Sequence, residues 1–255
     1  MRSHLFFGGP ATRTVKYLII INAAVFVSQL VFTYLFDSSF IEEHLGLSPL
    51  SVIHNRALWQ FVSYMFLHGG IGHIFFNMLA LYMFGNELVR YWGSRRFLVY
   101  YFVTGIGAGV CSWIVATQSA KQSAMQSAMQ YDAQSGAIVI GASGAIYGLL
   151  LAYGLTYPNR VVYLNFLFPI KVKWLVVIMG VVAFLSSVTG SNSGVANVAH
   201  LGGMVVGYLF LKGRDWRDRY RTFNNQRRRE QLKRQFEVYY GDVRRKIDRD
   251  NEDDA

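Results

Sequence analysis

The chain has 255 residues, of which 53% are hydrophobic and only 16% are charged, with a net charge of +10. Soluble domains carry about 25% charged residues, and here the charges are also segregated, because the only carboxylates between His44 and Arg214 are Glu87 and Asp132. This distribution excludes a water-soluble globular protein. The basic balance indicates the Lys- and Arg-rich cytoplasmic segments of a membrane protein, and we expect no nucleic-acid partner.

Apolar runs predict six membrane spans, since a spanning helix needs roughly 20 apolar residues. The predicted spans are 15–36, 61–84, 97–116, 137–157, 172–190 and 196–212. We therefore predict an all-α, polytopic membrane protein built as a six-helix bundle. Residues 1–14 precede this bundle, residues 15–212 form it, and residues 213–255 form a basic tail.

The loop charges predict how the bundle is oriented. Basic residues precede span one, join spans two and three, flank the join of spans four and five, and fill the tail. The positive-inside rule therefore places both termini in the cytoplasm. Segments 37–60 and 120–136 are then external, and the apolar residues of 37–60 fit partial burial in the membrane interface. For the tail, a helix lying on anionic membrane lipids and a solvated helix both stay open.

Polar residues of catalytic type lie at one depth on three predicted spans. Ser143 lies early in span four, His200 lies early in span six, and His68, His73 and Asn77 lie in the first half of span two. Because these three spans run from outside to inside, all five residues are expected near the outer face. Polar residues inside a membrane are expensive, so such a group predicts a functional site.

These residue types fit a serine hydrolase. His200 can accept the proton of the Ser143 hydroxyl, and the helix start at Ser143 offers backbone N–H donors. His73 and Asn77 share a helix face, and both can donate hydrogen bonds to a developing oxyanion. Tyr147, one turn after Ser143, is placed to stack on the His200 ring.

The sequence predicts a Ser–His dyad and close helix packing around it. Glu87 falls at the cytoplasmic end of span two and Asp132 in an external loop, so neither is placed to act as a triad acid. Small residues at the site favour the close approach of spans four and six. They are Gly141, Gly144, Gly203 and Gly207.

Each residue alone has an ordinary explanation, since a serine in a membrane helix usually bonds its own preceding turn. The joint pattern is more specific than its parts. No strand precedes Ser143, which excludes an α/β-hydrolase elbow, and the sequence lacks His-Glu-x-x-His. Three histidines without a nearby carboxylate or thiolate do not favour a metal site. We expect neither a metal nor another cofactor.

Three motifs resemble those of the rhomboid family of intramembrane serine proteases. They are Gly141-Ala-Ser-Gly144, His68-x4-His73-x3-Asn77 and Ala199-His200-x-x-Gly203. The resemblance covers about residues 10–212.

The resemblance implies that Ser143 is the nucleophile and His200 the base, with His73, Asn77 and the Ser143 N–H forming the oxyanion hole. It implies transmembrane protein substrates, cut near their outer ends, and a bacterial six-span type in the cytoplasmic membrane. A non-catalytic rhomboid-like protein that escorts membrane helices is the first alternative, but such relatives lack the serine or the histidine. A transporter is the second, although the sequence shows no internal repeat.

Two positions depart from the family pattern. The first loop carries Trp59-Gln60 where the family commonly has Trp-Arg, which leaves the anchoring of that loop open. Near the inner end of span two, Leu88 is followed by Val89 where the family often has Glu, and it stays open whether Glu87 substitutes.

Overall fold

The structure, a computed structural model, describes residues 10–126, 138–164, 168–188 and 195–213. The chain divides into two compact units, Met1–Leu209 and Phe210–Ala255. The predicted tail helix and most of segment 120–136 lie outside the described residues. These interpretations stay predictions, as do the domain limits at 14 and 212.

Helices build most of the described chain, which confirms the predicted all-α membrane bundle. The helices of the first half are α1 (Arg13–Phe36), α2 (Phe40–Leu45), α3 (Pro49–Asn55), α4 (Gln60–Ser63), α5 (Ile71–Ala80) and α6 (Asn86–Trp92). A 3-10 turn, Tyr64–Phe66, extends α4, and a π-helical turn, Leu81–Gly85, joins α5 to α6. Helix α1 begins where the Thr12 side chain accepts the N–H of Val15, an N-cap that satisfies one orphan donor.

The helices of the second half are α7 (Ser94–Gln126), α8 (Ser143–Thr156), α9 (Val172–Val188) and α10 (Val195–Gly213). Together with α1 and the bent segment from α4 to α6, they overlap the six stretches of sequence predicted as spans. Among the described helices, α1, the part of α7 up to Gln118, and α10 are long and apolar enough to cross a membrane. Helices α8 and α9 are apolar but shorter, with 14 and 17 residues.

The second predicted span is bent and is not one straight helix. Helical segments Gln60–Phe66 and Ile71–Trp92 are apolar enough to span together, but they meet at an angle of 97°. Leu67 has extended backbone angles (φ −89°, ψ 149°), and the pair Gly69-Gly70 follows, where glycine disfavours continuing the helix. The break makes α5 begin at Ile71, so His73 and Asn77 lie in its first two turns.

A short antiparallel hairpin joins α8 to α9, in a region where the sequence analysis predicted only a loop. Its strands are β1 (Val161–Leu164) and β2 (Phe168–Lys171), with Val161 opposite Lys171 and Leu164 opposite Phe168. The run Val-Val-Tyr-Leu has the β-branched and aromatic composition typical of strands. The hairpin adds two strands to an otherwise helical fold.

Two residues of α6, Asn86 and Glu87, form contacts with other parts of the chain close to Val89. Asn86 Oδ1 accepts both the N–H and the hydroxyl of Thr12, at 2.8 and 2.9 Å, which ties α6 to the start of α1. Glu87 instead forms ion pairs with Arg160 at 3.0 Å and with Arg90 at 3.4 Å. Asn86 therefore contacts the start of α1, and Glu87 contacts the segment after α8. Whether Glu87 replaces the glutamate of the family pattern stays a prediction.

An isolated β-bridge connects the first loop to the chain just before α8. Leu47 and Val139 exchange two backbone hydrogen bonds, each 2.9 Å long. The chain around Val139 is therefore not helical, although the predicted span began at 137. Helix α8 begins only at Ser143.

Candidate active site

The serine and the histidine singled out from the sequence form a direct hydrogen bond. Ser143 is the first residue of α8, and His200 lies in the second turn of α10. The distance between Ser143 Oγ and His200 Nε2 is 2.8 Å. This is the separation at which a neutral imidazole can take the proton of an attacking hydroxyl.

The backbone before Ser143 turns sharply at Gly141. Gly141 has φ of 127°, a conformation that side chains rarely adopt, and its N–H donates to the Tyr64 carbonyl at 2.9 Å. The first N–H groups of a helix have no partner within that helix, and its start carries a partial positive charge. The Ser143 N–H is thus a donor beside the Ser143 hydroxyl.

Tyr147 lies one turn after Ser143 and stacks on the His200 ring. The ring centroids of Tyr147 and His200 are 4.2 Å apart, and the two planes are inclined by only 1°. No ion pair joins His200 to a carboxylate in the described ranges. Ring stacking and the Ser143 hydroxyl are therefore the contacts that orient the imidazole.

Glycines bring the two helices close enough for this hydrogen bond. A Cβ on Gly203 would lie 2.0 Å from the carbonyl oxygen of Gly144, and a Cβ on Gly144 would lie 2.5 Å from the Cβ of Ala108. Gly207, on the same face of α10 as Gly203, instead lies against the Tyr100 hydroxyl of α7. Side chains at the first two positions would push α10 and α7 away from α8.

His73 presents one ring nitrogen to the serine side of the site. Its Nδ1 accepts the Gly69 N–H at 3.3 Å. A neutral imidazole with an accepting Nδ1 carries its proton on Nε2. That Nε2 faces Gly141, where an added Cβ would lie only 2.9 Å from it and 3.7 Å from Ser143 Oγ. The absence of a side chain at Gly141 leaves room for the His73 ring.

Asn77 supplies a second donor one turn further along α5. Its side chain is buried, and its Nδ2 has no hydrogen-bond partner within the described residues. An unsatisfied buried donor costs about 1–3 kcal/mol. A buried polar group kept at that cost, one turn after His73 on the same helix, fits a donor whose partner is a bound ligand.

His68 lies behind His73 and does not reach the serine directly. Its ring meets the His73 ring edge to face, with centroids 5.1 Å apart. His68 is buried, and its two ring nitrogens have no partner in the described part of the chain. Its main chain is held by Gln29 of α1, at 2.9 Å from the His68 N–H to Gln29 Oε1.

Gln60 anchors the first loop where the family commonly has arginine. Its side chain is 1% exposed. Its Oε1 accepts the Ser48 N–H at 3.0 Å, and its Nε2 donates to the carbonyls of Glu43 and His44, both at 3.3 Å. Three backbone hydrogen bonds from a neutral amide therefore anchor this loop.

Sequence reasoning missed the hydrogen bonds of Gln29 to the His68 main chain and left the anchoring by Gln60 open. The available signal for Gln29 was a polar residue within an apolar run, which is unusual in a membrane helix. The histidines, cysteine and carboxylates of the described residues form no group of three that could hold a metal ion.

Comparisons with known proteins place these residues in a family. The family model described as Rhomboid domain matches residues 55–213. The chain is 30% identical to RHOMBOID-like protein 12, mitochondrial, of Arabidopsis thaliana over 189 residues, which covers 74% of this chain and 54% of the relative. It is 31% identical to Rhomboid protease AarA of Providencia stuartii over 202 residues, which covers 75% of this chain and 69% of the relative.

A third relative shows how much of the longer proteins is matched. Rhomboid protease GluP of Bacillus subtilis is 32% identical over 166 residues, which covers 64% of this chain but 27% of the relative. The chain spans about half the length of the plant relatives first matched, at 54% and 47%.

Substitution of Tyr147 tests whether stacking orients the base. An aromatic pair contributes about 0.5–1.5 kcal/mol, which corresponds to roughly a 2- to 13-fold change in rate. We expect Tyr147→Leu to slow the labelling of Ser143 by a fluorophosphonate within that range. Tyr147→Phe keeps the ring and should label at the wild-type rate. Equal rates for Tyr147→Leu and wild type would contradict the orienting role.

Proposed function

This chain belongs to the rhomboid family, and on that premise we propose that it is an intramembrane serine endopeptidase that cleaves transmembrane protein substrates. The observation that carries the proposal is the 2.8 Å hydrogen bond between Ser143 Oγ and His200 Nε2. Two of its relatives are named rhomboid proteases. The Nε2 of His73, which faces Gly141, and the buried Nδ2 of Asn77 give the same site a means of stabilising an oxyanion.

Peptide hydrolysis at this site proceeds by acyl transfer. Ser143 Oγ attacks the carbonyl carbon of the scissile peptide while His200 Nε2 takes the hydroxyl proton. The tetrahedral intermediate then breaks its C–N bond, and His200 gives the proton to the leaving amine. Water, deprotonated by His200, attacks the acyl-serine ester. The C–O bond to Ser143 then breaks, His200 returns the proton to Ser143 Oγ, and the new carboxyl end of the substrate is released.

Three donors stabilise the negative oxygen of that intermediate. They are the backbone N–H of Ser143, the Nε2–H of His73 and the Nδ2–H of Asn77. Such donors act most strongly in a site sheltered from water, where the local dielectric is low. Asn77 Nδ2 has no hydrogen-bond partner within the described chain, so it can donate to the oxyanion without first breaking another hydrogen bond.

The catalytic pair works as a dyad in which Tyr147 takes the orienting part. A carboxylate in a triad holds the imidazole in the correct tautomer and stabilises its charged form. Here the stacked ring of Tyr147 fixes the plane of the His200 imidazole.

Cleavage takes place near the outer face of the membrane. The chain is a multi-pass membrane protein, and its loop charges favour cytoplasmic termini. Ser143 and His200 then lie at the outer starts of their helices, where water has a shorter path to the site. A bacterial cytoplasmic membrane fits this compact bundle and its Providencia relative.

Removal of the nucleophile provides the direct test. Ser143→Ala should abolish cleavage of a labelled transmembrane substrate by the detergent-solubilised protein, and His200→Ala should do the same, because an unassisted serine hydroxyl is a weak nucleophile. Melting temperatures of both variants serve as the folding control. Normal cleavage by folded Ser143→Ala would overturn the mechanism, and an inactive wild type would favour a non-catalytic rhomboid-like protein that binds membrane helices.

Reporter fusions test the orientation. A reporter placed after Arg214 should read cytoplasmic, and one placed within 120–136 should read external, because the basic residues flank the opposite ends of the spans. An external reading at Arg214 would move the site toward the cytoplasmic face and contradict cleavage at the outer face.

Asn77→Ala separates an oxyanion donor from a packing residue. Loss of one oxyanion donor lowers kcat by about 10²–10³ with little change in KM, because the contact forms mainly in the transition state. Asn86→Ala is the matched control, since Asn86 is also buried but bonds to Thr12 far from the site. It should lower the melting temperature and leave kcat near wild type. The same outcome for Asn77→Ala would remove Asn77 from the oxyanion hole.

A further inference from the structure

Gln29 of α1 is a buried amide that the mechanism above does not use. Its side chain is 4% exposed. Its Oε1 accepts the His68 N–H at 2.9 Å, while its Nε2 donates to Glu42 Oε1 at 2.7 Å and to the His68 carbonyl at 3.4 Å. A residue whose role was only to connect α1 to a neighbouring segment would need only one of these three hydrogen bonds. Gln29 instead engages both polar groups of a single main-chain residue.

The need for this arrangement comes from the break between Phe66 and Ile71. Backbone groups at such a break have no helical partners, and in apolar surroundings each unpaired group is costly. Gln29 pairs with the N–H and the C=O of His68 much as a neighbouring strand would.

Holding His68 also orients the next donor. The carbonyl of His68 and the N–H of Gly69 belong to one planar peptide unit, so fixing the first fixes the second. That Gly69 N–H is the group that donates to His73 Nδ1 at 3.3 Å. The Gln29 amide thereby helps to fix the orientation of the His73 ring through the His68–Gly69 peptide.

The proton of His73 depends on this donor. With Nδ1 accepting from Gly69, the neutral ring carries its proton on Nε2, the nitrogen that faces Gly141 and the serine. If the peptide turned away, the other tautomer would become accessible. Its Nε2 would then present a lone pair to the oxyanion and repel it.

Glu42 determines which way the Gln29 amide points. A carboxylate only accepts hydrogen bonds, so it selects the Nε2 side of the amide and leaves Oε1 for the His68 N–H. Glu42 lies on α2 in the first loop. The loop therefore supports the same chain of contacts.

We propose that Gln29 is a positioning residue of the oxyanion hole, which holds the His68–Gly69 peptide so that His73 keeps its proton on Nε2. The proposal rests on the proposed function, because it assigns the support for a donor of that reaction. Glu42 is the second member of the support.

Two variants in the same helix test it. Gln29→Leu removes the contacts, and Asn22→Leu is the control, because Asn22 is equally buried in α1 but its Nδ2 donates within that helix, to the Leu18 carbonyl at 2.8 Å. In metal sites, mutating the hydrogen-bond partner that orients a histidine ligand lowers metal affinity or activity by about 10–100-fold. We expect the same range in kcat for Gln29→Leu, with KM within about twofold of wild type, and a wild-type kcat for Asn22→Leu.

The tautomer itself gives a readout that a merely structural role would not change. In 15N-histidine-labelled protein, with His73 assigned from the spectrum of His73→Ala, we expect a protonated Nε2 and an unprotonated Nδ1 in wild type and Asn22→Leu. Gln29→Leu should show a mixture of tautomers. An unchanged tautomer with wild-type kcat in Gln29→Leu would overturn the proposal, as would an equal loss of kcat in both variants.

If Gln29→Leu does not fold, exchanging the amide and the carboxylate between positions 29 and 42 provides a second test. Gln29→Glu sets two carboxylates against each other, whereas Gln29→Glu combined with Glu42→Gln restores one carboxylate and one amide. The double variant should regain part of the kcat lost in Gln29→Glu, and no recovery would count against the proposal. Cleavage by Ser143→Ala, or an inactive wild type, would instead contradict the proposed function itself.

Discussion

The contact between Gly144 and Gly203 sets the distance on which the candidate site depends. Ser143 and His200 lie on different helices, and their hydrogen bond of 2.8 Å requires α8 and α10 to approach almost backbone to backbone. A Cβ at Gly203 would meet the Gly144 carbonyl at 2.0 Å, so no larger residue fits without separating the helices. Without a hydrophobic drive between helices in lipid, such small-residue contacts are what lets them pack.

The non-helical stretches of the bundle show how irregular backbone is accommodated in an apolar protein. The break before α5 is stabilised by Gln29, the loop before α4 by Gln60, and the stretch before α8 by the Leu47–Val139 bridge. In each case a distant segment supplies hydrogen bonds that a helix would otherwise supply to itself. Two of these stretches carry groups of the site, the Gly69 N–H and the start of α8. The polar network therefore serves stability and geometry together.

The sequence predicted most of the spans and the grouping of the polar residues, because apolar runs of about 20 residues and polar exceptions within them stand out. It predicted that Ser143 and His200 share one depth, and the structure places their reacting atoms in contact. Gly69-Gly70 marked a possible break within 61–84, but the 97° angle between its two parts could not be predicted, since hydropathy carries no direction. Gln29 and Gln60 bond to backbone groups far along the chain, and no local pattern identifies such partners.

The bridge between Leu47 and Val139 has a consequence for the order in which the protein assembles. Leu47 leaves the ribosome long before Val139, so the first loop cannot reach its final pairing until the chain leading into α8 has also been synthesised. Until then, the backbone groups of Leu47 lack this partner. The final pairing of the first loop and the placing of the segment before Ser143 are therefore coupled, and an incomplete chain cannot yet hold Ser143 in its final position.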